Sequence, residues 1–269
     1  MLRLLRSNAD LRWLFLAQVV SFLGDWFTFV AIAAMVFDAT GSEFLVAVAY
    51  VSFSLPSFLA SPLAGSLVDR FDRRRLLLVV SAAQAVAALG LLTASTERVW
   101  PLFVFQGLIS SLAAVVKPAI DAGVPNLARS PDELRRANAL FGSMWGVMLA
   151  VGAGIGGVFS QAFGRSAAFV ADAITFVAAL ALFALVERPM QQTAAHGARP
   201  PVRPIADMRE AIRYAREDRV ILSLIGSKAT FAIGAGTVSQ LPVLASEVFG
   251  WLTDEGSRRQ LVDCIEEMT

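Results

Sequence analysis

The sequence predicts an all-α membrane protein with seven transmembrane helices. Two observations carry that expectation. Hydrophobic residues make up 56% of the 269-residue chain, above the roughly 45–50% of soluble domains. They are gathered into stretches of about 18 or more residues, enough to cross ~30 Å of hydrocarbon as helix. The second observation is the placement of positive charge. One side of the expected membrane collects Arg3, Arg6 and Arg12, then Arg70, Arg73, Arg74 and Arg75, then Arg129, Arg135 and Arg136, then Arg188, Arg199, Arg203, Arg209, Arg213, Arg216 and Arg219. The other side has Arg98, Arg165, Arg258 and Arg259. Such a bias places the N-terminus in the cytoplasm and the tail outside.

The spans follow in order at residues 11–37, 44–68, 76–93, 99–127, 140–163, 166–186 and 220–249. The first follows a basic start but is too long for the 7–15-residue core of a signal peptide, so it reads as a retained span. Ser42 with Glu43 provides an N-cap and a first-turn acid for the second, in which Pro56 and Pro62 predict a kink. Ser130-Pro131-Asp132-Glu133 is a capping box with proline at the first helical position. It predicts a short cytoplasmic helix running into the fifth span. Connections are mostly short, so successive helices are expected to be antiparallel neighbours. The longest loop, 187–219, opens with a Pro/Gly/Ala-rich linker. From Ile205 it reads as a helix with Ile205, Met208, Ile212 and Ala215 on one face, suited to lying on the inner membrane surface or packing on the bundle. No internal sequence repeat is visible.

Composition excludes several function classes. Cys264 and His196 are the sole members of their residue types and both lie in polar segments. A zinc site needs about four ligands, and thiol–imidazole catalysis needs both groups together. No HExxH, GxSxG or GxxxxGK[ST] motif occurs, so no enzyme, metal or cofactor is expected. The net charge of +1 gives no pull on nucleic acid. Lys117 and Lys228 are the only lysines; with abundant alanine, this skew points to a GC-rich bacterial genome, and with the spans the expected location is a bacterial inner membrane.

The loop between spans two and three reads Gly65-Ser66-Leu67-Val68-Asp69-Arg70-Phe71-Asp72-Arg73-Arg74-Arg75. It resembles the signature loop of the major facilitator superfamily, G-x-L-x-D-R-x-x-R-[RK]-x, at the same topological position. Gly65 would permit close helix approach, Asp69 would end the second span as a carboxylate, and Arg70, Arg73 and Arg74 would anchor the cytoplasmic face. Asp72 stands where the family often has glycine. Thr40-Gly41-Ser42, Ala137-Asn138-Ala139-Leu140 and Ser21-Phe22-Leu23-Gly24-Asp25 are similar to the drug-efflux and siderophore-export branch. In span five, Gly152-Ala153-Gly154-Ile155-Gly156-Gly157 is similar to the G-P-x-x-G-G motif of antiporters, with Ala153 replacing proline. Ordinary close packing explains the same small residues equally well.

The resemblance implies a fold of two six-helix halves with substrate held between them near the bilayer midplane. It covers residue 11 to about 249. It divides the chain into an N-terminal six-span half at 1–190, a cytoplasmic linker with an amphipathic helix at 191–219, a seventh span at 220–250 and a polar tail at 251–269 that does not look like family sequence. A chain cut after its seventh span, lacking its second half, is therefore expected. The implied activity is proton-coupled export of a small lipophilic or amphipathic compound. The alternative is a non-transporting membrane partner or assembly protein that keeps the fold.

Charges inside the spans cost several kcal/mol and mark candidate sites. Asp25 lies mid-span and is the first candidate for a proton-coupling or substrate-facing group; a structural hydrogen bond is the alternative. Lys117 and Asp121 are four apart and able to pair locally. Asp172 lies in the outer part of span six, and Lys228 in span seven.

Overall fold

A computed structural model describes residues 2–191, 204–224 and 226–227. Among these it is helical throughout, with short turns. The helices are α1 (Leu2–Ser7), α2 (Ala9–Thr40), α3 (Glu43–Arg70), α4 (Arg73–Gly90, continued by a 3-10 turn Leu91–Thr93), α5 (Trp100–Leu127), α6 (Pro131–Phe163), α7 (Arg165–Ala184) and α8 (Pro204–Glu217). α2, α3, α4 with its 3-10 turn, α5 and α7 are each long and apolar enough to cross a membrane. α6 carries the fifth expected span, residues 140–163. At 33 residues it is ~50 Å long, so the capping-box helix and that span are one continuous element. Residues 219–224 are helical; Lys228, the rest of the seventh expected span and the tail lie outside the described residues.

The helix boundaries follow from local chemistry. Asn8 caps α2 by accepting from Leu11 N at 3.2 Å, and Gly41 ends it in the left-handed region (φ 61°), where a side chain would be strained. The Ser42 hydroxyl accepts from Leu45 N at 3.3 Å. Pro56 and Pro62 fall inside the single helix assigned to α3. The Ser130 hydroxyl accepts from Glu133 N at 3.2 Å. The Glu133 carboxylate reaches back to Arg129 N at 2.8 Å rather than to the capping residue itself, a capping box displaced by one position.

Residues 1–208 form one compact unit and 209–269 a second. Within the first, α2 packs most closely on α7 and α6, α5 on α3 and α4, and α4 on α7. Exchanging α2–α4 for α5–α7 in chain order reproduces this pattern: α2–α7 becomes α5–α4, and α2–α6 becomes α5–α3. The bundle is thus two three-helix units packed alike, although the sequence shows no repeat.

Its apolar interior divides in two. One cluster, with Leu11, Leu14, Val68, Leu77, Val124, Leu127 and Phe183, lies at the arginine-rich end. The other, with Phe27, Ile32, Ala49, Ala88, Leu102, Phe169 and Phe176, lies at the opposite end. Buried Ser81, Gln84 and Ser110 fall between them along α4 and α5. Large apolar side chains such as Phe58, Val79 and Val86 point outward, about 70% exposed, as hydrocarbon contact permits.

Candidate functional site

The polar centre of the bundle is the seam between α2 and α7. The helices meet closely there because Gly24 has no side chain: a Cβ would collide with Thr175 and the Asp172 carboxylate. Asp172 is fully buried. Its Oδ2 accepts from the Thr28 hydroxyl at 2.6 Å. The Thr175 hydroxyl lies 3.4 Å from Oδ1 while donating to the Asp172 carbonyl at 2.7 Å. Asp25, half-buried one turn before Thr28, directly follows Gly24, the residue that meets Asp172. The structure therefore brings to one seam two acidic residues that the sequence presents as separate candidates. Thr28 and Thr175 are not legible along the chain, because a threonine in a span has no sequence signal beyond its i+3 spacing to each acid.

The Asp172 carboxylate has the Thr28 hydroxyl as donor; no hydroxyl donor reaches Asp25 among the described residues.

The signature loop works at the arginine-rich end. Asp72 caps α4, accepting from Arg75 N at 2.8 Å; the departure from glycine thus has a local use. Arg73 Nη1 donates to the carbonyls of Ala122 and Met190, both at 2.9 Å. Arg74 donates to the Ala184 carbonyl at 2.5 Å. Arg73 and Arg74 thus grip the ends of α5 and α7. Asp69 is exposed, its carboxylate without a hydrogen-bond partner among the described residues; its backbone carbonyl accepts from Gln191 at 3.3 Å. Arg70, also of the signature, ends α3. One expectation fails at this loop. A Cβ at Gly65 would meet nothing within 4 Å among the described residues, so this glycine makes no close approach within the bundle.

The strap after α7 is a structured element that the sequence does not announce. Buried Asp10, in the first turn of α2, accepts from Glu187 N at 2.8 Å and Arg188 N at 3.3 Å. Asn126 donates to the Met190 carbonyl at 2.9 Å, and Met190 is buried against Gly123. Asn8 donates to the Leu127 carbonyl at 3.0 Å and to Glu133 at 3.2 Å, joining α2 to the α5–α6 turn. A first-turn Asp and an N-cap Asn read as ordinary helix starts; their second contacts are long-range and invisible along the chain.

The glycines of span five divide by face. Gly152 sits against the Trp26 indole, and a Cβ at Gly156 would lie 2.8 Å from the Trp26 carbonyl, so this i, i+4 pair brings α6 onto α2. Gly154 and Gly157 face open space among the described residues and do not contribute to that packing. Lys117 and Asp121 form the local i, i+4 ion pair expected, at 2.5 Å with both side chains exposed.

A bundle of apolar helices built from two like three-helix units is a repeat construction of the kind secondary transporters use. The sequence profile of the Major Facilitator Superfamily matches residues 14–257, and the chain belongs to that family, whose members are transporters rather than enzymes. A Bacillus subtilis (strain 168) protein described as an uncharacterized MFS-type transporter, YfiS, is 23% identical over 266 residues, covering 92% of this chain and 61% of the relative. A crystal structure of the peptide transporter POT in complex with alafosfalin is 16% identical with a TM-score of 0.61, covering 90% of this chain and 49% of that one. An auto-inhibited POT family peptide transporter is 18% identical with a TM-score of 0.56, over 94% and 54%. These likenesses show the fold. The chain spans about three fifths of the curated relative and half of the peptide transporters.

Proposed function

We propose that these helices form the N-terminal half of a proton-coupled exporter of a small lipophilic or amphipathic compound, with drugs or siderophores as the substrate class. The observation that carries the reading is the Asp25–Asp172 pair. A membrane-buried acid is costly, and two sharing one seam make a place where a proton is held and released. Asp172, bonded by Thr28, stays fixed; Asp25 exchanges its proton. The bacterial inner membrane with a cytoplasmic N-terminus is the proposed setting, supported by the arginine bias. The glycine-rich span five and the similarity of its motif to that of antiporters support exchange of substrate against protons. Few fixed charges in the spans support an apolar substrate.

The test is substrate-dependent proton movement in inverted vesicles from cells that make this half together with a complementary second half. Asp25→Asn is expected to abolish it, and Asp172→Asn to reduce it strongly. Undiminished proton-coupled flux in Asp25→Asn would refute the assignment.

A further inference from the structure

α8 carries its charges unevenly. Arg209, Arg213 and Arg216 recur at spacings of four and three, one stripe of the helix. Ile205, Met208, Ile212 and Ala215 recur at three, four and three, and fall on the stripe beside it. Asp207, Glu210 and Glu217 fall on other faces. The three arginines are exposed, and Ile212 is 47% exposed. A helix flanked along one edge of its apolar stripe by arginines has the pattern of a helix lying in a bilayer interface. In sequence, α8 is held between α7 and the apolar residues that open at Val220, so a membrane surface is always at hand. Its stripe has only three large apolar side chains, too few to hold firmly on a neutral bilayer. Phosphate-bearing anionic headgroups complement the arginine edge.

We infer that α8 docks on an anionic lipid surface, with Ile212 at the headgroup–acyl boundary and Arg209, Arg213 and Arg216 on lipid phosphates. The partner is the bilayer, and the contact depends on its charge. The experiment uses the whole chain carrying Cys264→Ser, which removes the native cysteine, and Ile212→Cys labelled with an environment-sensitive fluorophore. It is reconstituted in phosphatidylcholine vesicles with or without phosphatidylglycerol, and quenching by nitroxide-bearing lipid is read. The expected result is quenching about fivefold or more stronger in anionic vesicles, since each arginine near such a surface is worth roughly that factor. Adding Arg209→Gln, Arg213→Gln and Arg216→Gln together is expected to lower it to the neutral level, while Glu210→Gln leaves it high. Equal quenching in both lipids overturns the inference. So does a probe shielded from water and lipid alike, which would mean packing on protein, or one that stays in water in both vesicles.

Discussion

At the scale of single residues, the same side-chain type does opposite things according to its partners. Asp172 is buried with a hydroxyl donor at 2.6 Å, Asp10 is buried with two backbone donors, and Asp69 is exposed without a partner among the described residues. Removing an acceptor from a buried donor costs ~1–3 kcal/mol; an exposed carboxylate carries no such penalty. Asp69→Asn is therefore expected to leave folding intact, with an unchanged melting temperature in detergent. Its effect should fall on transport by the two-half protein, because the signature carboxylate ends α3 at the arginine-rich face. A folded variant with full flux would show that Asp69 has no part in the cycle. Asp25 and Asp69 are both legible in the sequence, since a charge within or at the edge of an apolar run stands out. Asp10 is not, because a first-turn acid is common and its bonds cross 177 residues of sequence.

At the scale of elements, boundaries are readable and packing is not. Caps at Ser42 and Ser130 are local chemistry, so the helices begin where the residues indicate. Which glycine faces a neighbour depends on how two helices are rotated, and no single run of residues records that. Gly65 resembles a contact glycine and faces open space, whereas Gly24 carries no such signal and sits where α2 meets α7. The span-five glycines permit a direct comparison on one helix. Gly156→Ala places a methyl 2.8 Å from the Trp26 carbonyl, a backbone atom that cannot swing aside. Overpacking of this kind costs ~1–3 kcal/mol. Gly157→Ala meets nothing among the described residues, and alanine favours helix by ~1 kcal/mol over glycine. Thermal unfolding in detergent should thus show Gly156→Ala lowered and Gly157→Ala unchanged or raised. The reverse order would mean that α6 turns a different face toward α2.

At the scale of the whole molecule, the arginine bias supports the proposed orientation and the repeat bears on the proposed activity. Activity reporters fused after Arg75 and Arg199 are expected to read cytoplasmic, and one after Asp254 external; a cytoplasmic reading at Asp254 would break the seven-span count. That count rests on hydropathy and charge placement along the chain, whereas the repeat of three-helix units emerges only from contacts between distant helices. The repeat matters for function because alternating access rocks two halves about a site held between them. In the proposed reading, helices α2 to α7 supply one wall. α3 keeps an apolar surface that the bundle leaves open, with 11% of its most apolar window buried against 44% for α2. Asp25 stands half-buried on its helix, costly to leave charged against lipid. We therefore expect the 269-residue chain, purified and reconstituted by itself, to give no substrate flux under an imposed proton gradient, while the same helices with a complementary half restore it. Two copies could meet through their open faces and imitate the missing symmetry. Gradient-driven flux by the chain alone, lost on Asp25→Asn, would establish that pairing and replace the two-half reading with a homodimer of half-transporters.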